Sequence, residues 1–290
     1  YFKTLIPLDS LKADVDLFSV LTNKSGINKI IVDTKYINYK LIKPIILRSK
    51  PGNLKTILLN NVKNSKFKIN SELKFNDNLE LTKDSRFTGD IKETFVDIKE
   101  KYQIRDLSFD FAYKDQLLNL SSINAKLEDF EIYDSQLDYN GSNEEHQVSG
   151  KIKGKIDSSG DRIEKTFSLA GIDVKNFSFL SFKGFTSGSF NLKLDKTLAV
   201  KKSKFIGGAS INEFKANLKE KASSGFLTKS IENVQVKDTI IDIVHEDKKN
   251  KVEVKSSVKI SDEFFKLDFS TQDKLNSFKA VFNGESPIKI

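Results

Sequence analysis

Apolar residues return at every second position through most of the chain. Phe67 and Ile69 alternate with lysines, Leu73 and Phe75 follow, and Phe109 and Phe111 repeat the pattern. Phe190, Leu192 and Leu194 do the same, as do Val252 and Val254, then Phe265, Leu267 and Phe269, then Phe278, Ala280 and Phe282. A period of two places alternate side chains on one face of a strand. Each stretch therefore predicts a strand with one apolar and one polar face. Further strands are expected over 11–17, 27–39, 79–81, 87–91, 107–113, 117–127, 130–139 and 148–156. Gly150 and Gly154 sit inside the last of these, which suggests a bulge or a close backbone approach. Two stretches differ. Residues 41–48 are apolar on most sides and contain Pro44, predicting a short helix or a bent segment. After a break at 50–52, Asn53 can cap a helix over 54–61 with Leu54, Ile57 and Leu58 on one face. That helix is expected to plug the end of a sheet.

A short unit recurs along the chain. In Val62-Lys-Asn-Ser-Lys-Phe-Lys-Ile69 the pair Asn64-Ser65 reads as a turn that launches a half-buried strand. Related units surround Thr34, Leu107, Ser135, Phe177, Ser203 and Thr239. With Ser65, these positions are spaced by 31, 42, 28, 42, 26 and 36 residues, by subtraction of their numbers. The mean of about 34 lies within the range of repeat architectures. Turns are also expected at 140–143, 157–160, 246–251 and 283–284, and Gly207-Gly208 reads as a strand break. The expectation is a mainly β fold: a long curved antiparallel sheet or β-groove of repeating turn–strand units, with one or two short helices near residues 41–61. It is read as a single elongated region over 1–290. The chain starts at Tyr1 and has no Met, so it reads as a piece of a longer protein. The same alternation would also serve two faces packed together as a sandwich.

Composition narrows the chemistry. The chain has 23 Phe and no Cys, Met or Trp. The absence of Cys excludes disulfides, thiolate metal sites and thiol nucleophiles. Apolar runs such as 44–47 and 57–59 are too short to span a bilayer. With 48 basic and 40 acidic residues the net charge is +8, but the signs are interspersed. This describes a solvated face with a mild basic bias and a modest attraction to anionic headgroups. Abundant Lys, Asn and Ile fit an AT-rich genome.

His146 and His245 fall in acidic polar stretches, read as exposed turns. A metal site needs three or four converging ligands. A Ser–His–acid triad would have to use one of these two histidines, and the chain has no G-x-S-x-G elbow. No phosphate-binding loop or dinucleotide fingerprint is present. Aromatic residues alternate with the charges instead of sharing their face, which argues against a nucleic-acid partner. No enzyme activity, cofactor or metal is expected.

The repeated units, the Phe87-Thr-Gly89 segment and the passage from Leu107-Ser-Phe-Asp-Phe-Ala-Tyr113 to Ile123-Asn-Ala125 resemble bacterial AsmA-like proteins. The passage from Leu41-Ile-Lys-Pro44 through Pro51-Gly-Asn-Leu-Lys-Thr-Ile-Leu-Leu-Asn60 is similar. The resemblance implies a periplasmic segment of a protein anchored in the inner membrane of a Gram-negative bacterium. Its tether would lie outside this sequence. It further implies a β-groove of the bridge-like lipid-transfer type that carries phospholipid acyl chains and supports outer-membrane assembly, with envelope proteins as further partners. Groove-lining candidates are Phe67, Ile69, Phe109, Phe111, Phe190, Leu192, Leu194, Phe265, Leu267 and Phe269. Two other readings stay open. One is a surface β-repeat module for adhesion. The other is a β-solenoid carbohydrate-active enzyme, which would need acidic residues gathered in one cleft.

Overall fold

The computed structural model describes residues 5–16, 26–48, 53–98, 102–141, 145–169, 176–197, 199–222, 231–247, 249–260, 263–272 and 277–284. The described chain is mainly β. Its strands are β1 (Leu8–Val15), β2 (Ile27–Thr34), β3 (Ile37–Asn38), β4 (Val62–Lys74), β5 (Arg86–Ile98), β6 (Tyr102–Lys114), β7 (Leu117–Leu127) and β8 (Phe130–Gly141). They continue as β9 (Glu145–Ser158), β10 (Phe177–Asp195), β11 (Val200–Ala222), β12 (Ile231–Glu246), β13 (Lys249–Ile260), β14 (Glu263–Gln272) and β15 (Ser277–Gly284). Three short helices are α1 (Tyr39–Arg48), α2 (Asn53–Asn61) and α3 (Asp161–Leu169). The strands join one 15-stranded sheet in chain order, with β3 off the path beside β4. The order runs from β1 at one edge to β15 at the other, so the sheet is open and not a barrel. Among the described residues no helix is long and apolar enough to cross a membrane.

Contacts divide the chain into two compact units. The first comprises Tyr1–Lys126 with Asp134–Gln147. Here the antiparallel register aligns Phe67 with Ile91, Ile91 with Phe109, Ile69 with Gly89, and Gly89 with Phe111. One face of the ladder is therefore apolar. The opposite face aligns Lys68, Asp90 and Asp110. Helices α1 and α2 close over one end of the apolar face, burying Tyr39, Val62 and Val96 against Ile46, Leu58, Ile104 and Leu107. The Tyr39 hydroxyl donates to the Leu58 carbonyl at 2.6 Å, which ties the two helices together.

The second unit comprises Leu127–Tyr133 with Val148–Ile290. Phe190 aligns with Phe205, Ile241 with Val254, Val254 with Phe269, and Ser256 with Leu267. Helix α3 closes one end of this apolar face. Ile163 is 0 % exposed and packs with Phe179 and Ala216. The rings of Phe167, Phe177, Phe182 and Phe214 surround them, and Phe167 stacks on Phe182 at 5.5 Å. This helix is an addition to the one or two expected near residues 41–61. Its signals are Ile163 and Phe167 at helical spacing and acidic Asp161 and Glu164 in the first turn.

The recurring unit also differs from its expected form. At several positions the polar pair lies within a strand instead of launching one, whereas Asp33-Thr34 closes β2. Asp134-Ser135 falls inside β8, Asp238-Thr239 inside β12, and Glu93-Thr94 inside β5. Glu93, Asp106, Ser122, Asp134 and Asp238 have φ of 52°, 52°, 52°, 42° and 48°. Short polar side chains tolerate this left-handed region, and one such residue in a ladder makes a bulge that bends the strand. The register shifts beside Thr94 and between Lys237 and Ile240 mark such bulges. The hydroxyl that follows is buried at Thr94, Ser135 and Thr239. At two of these positions its partner lies across the strands: Ser65 meets Thr94 at 2.6 Å, and Thr239 meets Ser256 at 2.5 Å. Because the unit bends strands without breaking them, the strands run longer than the turn reading implied.

Three smaller expectations change. Gly207-Gly208 is not a break but lies in the middle of the 23-residue β11. Its neighbours Gly188 and Ala209 keep the ladder regular there. The 79–81 stretch is no strand: Leu79 has φ 60°, and Leu81 makes only an isolated bridge to Phe75. Residues 27–39 divide into β2, β3 and the start of α1. The expectations for Leu17 and 50–52, and for the side chains of Leu54, Ile57, Phe265, Phe278, Ala280 and Phe282, lie outside the described residues.

Candidate functional site: an open apolar face

The sequence-derived candidates sort cleanly by face. In the first unit Phe67, Ile69, Phe109 and Phe111 share the apolar face. In the second, Phe190, Leu192 and Leu194 follow one parity of β10, and Leu267 and Phe269 follow the matching parity of β14. Phe265 takes the same parity by its register with Val258. The described side chains of this set are all half-buried and none is fully buried. Phe67 stands apart, because it packs against the helix-capped cluster with its ring 6.4 Å from that of Tyr39.

Full burial is concentrated where the helices meet the sheet. Tyr39, Val62 and Val96 gather at α1 and α2, and Ile163, Phe179 and Ala216 at α3. Elsewhere the described candidates of the apolar rows are half-buried.

Glycines smooth this face. The Phe205 ring lies over Gly188 and Gly207, so an added Cβ would come within 2.7 Å and 2.8 Å of it. Phe111 covers Gly89 and Phe130 covers Gly154 in the same way. An aromatic ring over a cross-strand glycine shields exposed backbone and keeps apolar surface continuous.

The opposite face is solvated and ion-paired. Lys66 meets Glu93, Lys155 meets Glu131 and Lys251 meets Glu253, each at 2.7 Å. The Lys251 ammonium holds the Glu253 carboxyl below its usual range. Hydrogen bonds from Ser10 and Asn70 do the same for Asp33. Such exposed pairs contribute little stability.

The histidines stand in strands and not in exposed turns, because both rings have found partners. His146 opens β9, stacks on Tyr139 and shares a hydrogen bond with its hydroxyl at 2.9 Å. His245 lies near the end of β12, with Nε2 2.9 Å from Ser203 Oγ and Nδ1 2.5 Å from Asn250 Oδ1. The order Ser203–His245–Asn250 matches nucleophile, base and orienting group. An oxyanion hole needs free backbone donors beside the nucleophile. The Ser203 N–H is instead donated to Asp247 Oδ1 at 3.0 Å, and Ser203 lies in a regular ladder opposite Leu192. Among the described residues no group of three His, Cys, Asp or Glu could hold a metal ion.

No family model, curated protein or solved structure matches this chain. Function is read from the face itself.

Proposed function

We propose that this chain is a lipid-carrying segment whose apolar face holds the acyl chains of a phospholipid. The observation that carries this reading is the half-exposed row of Phe, Leu and Ile on one side of an open sheet, with charges on the other. Each methylene taken from water onto such a face gains about 0.8 kcal/mol, so eight covered methylenes supply roughly 6 kcal/mol. The headgroup stays in water at the strand ends, where lysines are frequent. Binding needs no covalent step, and no residue is assigned a catalytic role.

The resemblance to AsmA-like proteins supplies a setting. In that setting the segment works in the periplasm, tethered to the inner membrane by chain outside this sequence, and serves outer-membrane assembly. The bulges suit the role, since bent strands turn a sheet face into a trough.

The test is lipid mass spectrometry of the purified chain after gentle isolation. Co-purified diacyl phospholipid is expected, and its loss in a Phe111→Lys, Phe190→Lys double variant that keeps the strand circular dichroism. A lipid-free preparation that also fails to take phospholipid from vesicles would overturn the reading.

A further inference from the structure

The signs of charge are interspersed over most of the chain, but not between Asp33 and Glu72. Residues 34–71 contain nine basic residues and no acidic one. Taking these nine from the 48 basic residues leaves 39, against 40 acidic residues, so the remainder of the chain has a net charge of −1. The whole +8 therefore originates in the segment that forms β3, α1, α2 and most of β4. Within β4 the neighbouring strands answer this charge. Lys66 pairs with Glu93 at 2.7 Å, and Lys68 with Asp9 at 3.8 Å. On the helices they do not. Lys55 donates to the Leu47 carbonyl at 2.6 Å, which leaves its charge in place. Among the described residues no carboxylate pairs with Lys40 or Lys43, and both are exposed.

The same helix shows apolar side chains to solvent. Tyr39 and Ile46, seven residues apart, turn one side of α1 to the sheet. Leu41, Pro44 and Arg48, spaced by three and four, line the side away from them. Leu41, Ile45 and Leu47 are 40 %, 45 % and 54 % exposed. Lys40 and Arg48 stand at the two ends of this apolar strip, about 12 Å apart at 1.5 Å rise per residue. The outer surface of α1 is thus an apolar strip between cations.

A helix of 10 residues is too short to cross a bilayer. It suits the plane of a bilayer interface, where apolar side chains enter the acyl boundary and Lys and Arg stems reach back to the headgroups. A nucleic-acid backbone would neutralise the cations and leave Leu41, Ile45 and Leu47 in water. A neutral bilayer would take the apolar strip and leave the charge unanswered. An anionic bilayer meets both.

We propose that α1 seats the first unit on the surface of an anionic phospholipid bilayer. Leu41, Ile45 and Leu47 enter the boundary below the headgroups, and Lys40, Lys43 and Arg48 meet lipid phosphates. Each basic residue close to such a surface strengthens binding about fivefold, and salt weakens the attraction. Because α1 and α2 close one end of the apolar sheet face, that end is the one brought to the bilayer. The proposal does not rest on lipid being held along the sheet, which co-purification reads separately.

The chain has no cysteine, so a single introduced thiol reports a single position. An environment-sensitive fluorophore is attached at Leu47→Cys on α1, or at Asn78→Cys in the exposed turn after β4. Vesicles of phosphatidylglycerol and phosphatidylcholine are compared with vesicles of phosphatidylcholine alone. A blue shift is expected at Leu47→Cys, with the anionic vesicles only, and none at Asn78→Cys. Cosedimentation of the unlabelled chain should show binding at least about tenfold tighter to the anionic vesicles, weakening as salt is added. Lys40→Glu with Lys43→Glu should reduce that binding at least about tenfold. Lys202→Glu with Lys249→Glu reverses as much charge at exposed positions of the second unit, and should change it by no more than about twofold. Ile45→Ser with Leu47→Ser should reduce it about tenfold with the charge unchanged. All these positions are exposed, and unchanged far-UV circular dichroism verifies that each variant folds. No preference for anionic vesicles, equal losses from the two charge reversals, or binding without a shift at Leu47→Cys would each overturn the proposal.

Discussion

Removing the Ser65 hydroxyl tests whether the recurring unit is a bulge held by paired hydroxyls. Ser65 is fully buried and shares a 2.6 Å hydrogen bond with Thr94, itself buried in β5. In Ser65→Ala the Thr94 hydroxyl keeps only a 3.5 Å contact with the Lys92 carbonyl of its own strand, at the outer limit of a hydrogen bond. A buried hydroxyl left in that state costs about 1–3 kcal/mol. Thr94→Val should cost a similar amount by stranding Ser65. The double variant should cost little more than either single one, a coupling of roughly 1–2 kcal/mol. Urea unfolding followed by far-UV circular dichroism reads this as a shift in midpoint at constant slope. A neutral Ser65→Ala, or strictly additive effects, would show that the paired hydroxyls do not hold the bulge. The Thr239–Ser256 pair provides an independent repetition in the second unit.

Three further outcomes are expected. Gly207→Ala should destabilise by about 1–3 kcal/mol in the same assay, because its Cβ would lie 2.6 Å from the Gly188 Cα, a backbone atom that cannot swing aside. Ile163→Ala should cost about 2–4 kcal/mol locally, seen as faster hydrogen exchange in α3 with β13 and β14 unchanged, since Ile163 is the side chain most deeply seated under that helix. Asp195 titrates below its usual 3.8 because the Thr197 hydroxyl and the Ala199 and Thr197 amides donate to its carboxylate. A depressed folded value means that this stabilisation is complete above the unfolded pKa and is lost as pH falls through the lower folded one. NMR titration should therefore show the β10–β11 turn loosening only below pH 3.8, and Thr197→Ala should move the midpoint up toward that value.

Strand faces were the most legible property, because period-two alternation is a direct consequence of the pleat. Phe109 and Phe111, or Leu267 and Phe269, could be assigned to a face from alternation alone. The helix over Asn53–Asn61 was legible from its cap and its break. Helix α3 was not, since two apolar residues four apart in a short polar stretch are weak evidence beside a strong surrounding β pattern. The Asp-Ser and Asp-Thr pairs were legible as special backbone but not as bulges. A left-handed residue serves a turn and a bulge alike, and only the cross-strand register distinguishes them. Whether the apolar rows faced each other or the solvent could not be read from alternation, which both arrangements share. The exposed apolar residues on the charged face were hidden for a related reason: Ile206 lies opposite Val244 and Ile240 opposite Ser210, a juxtaposition that only the β11–β12 register sets.

The open face is probed most simply by photo-crosslinking residue by residue along β6. A photoreactive side chain is placed in turn at Phe109, Asp110, Phe111 and Ala112, and adducts with phospholipid are measured by mass spectrometry. Lipid adducts are expected at Phe109 and Phe111 and none at Asp110 and Ala112. Equal labelling of all four, or no lipid adduct at any of them, would mean that the apolar face of this sheet does not hold lipid.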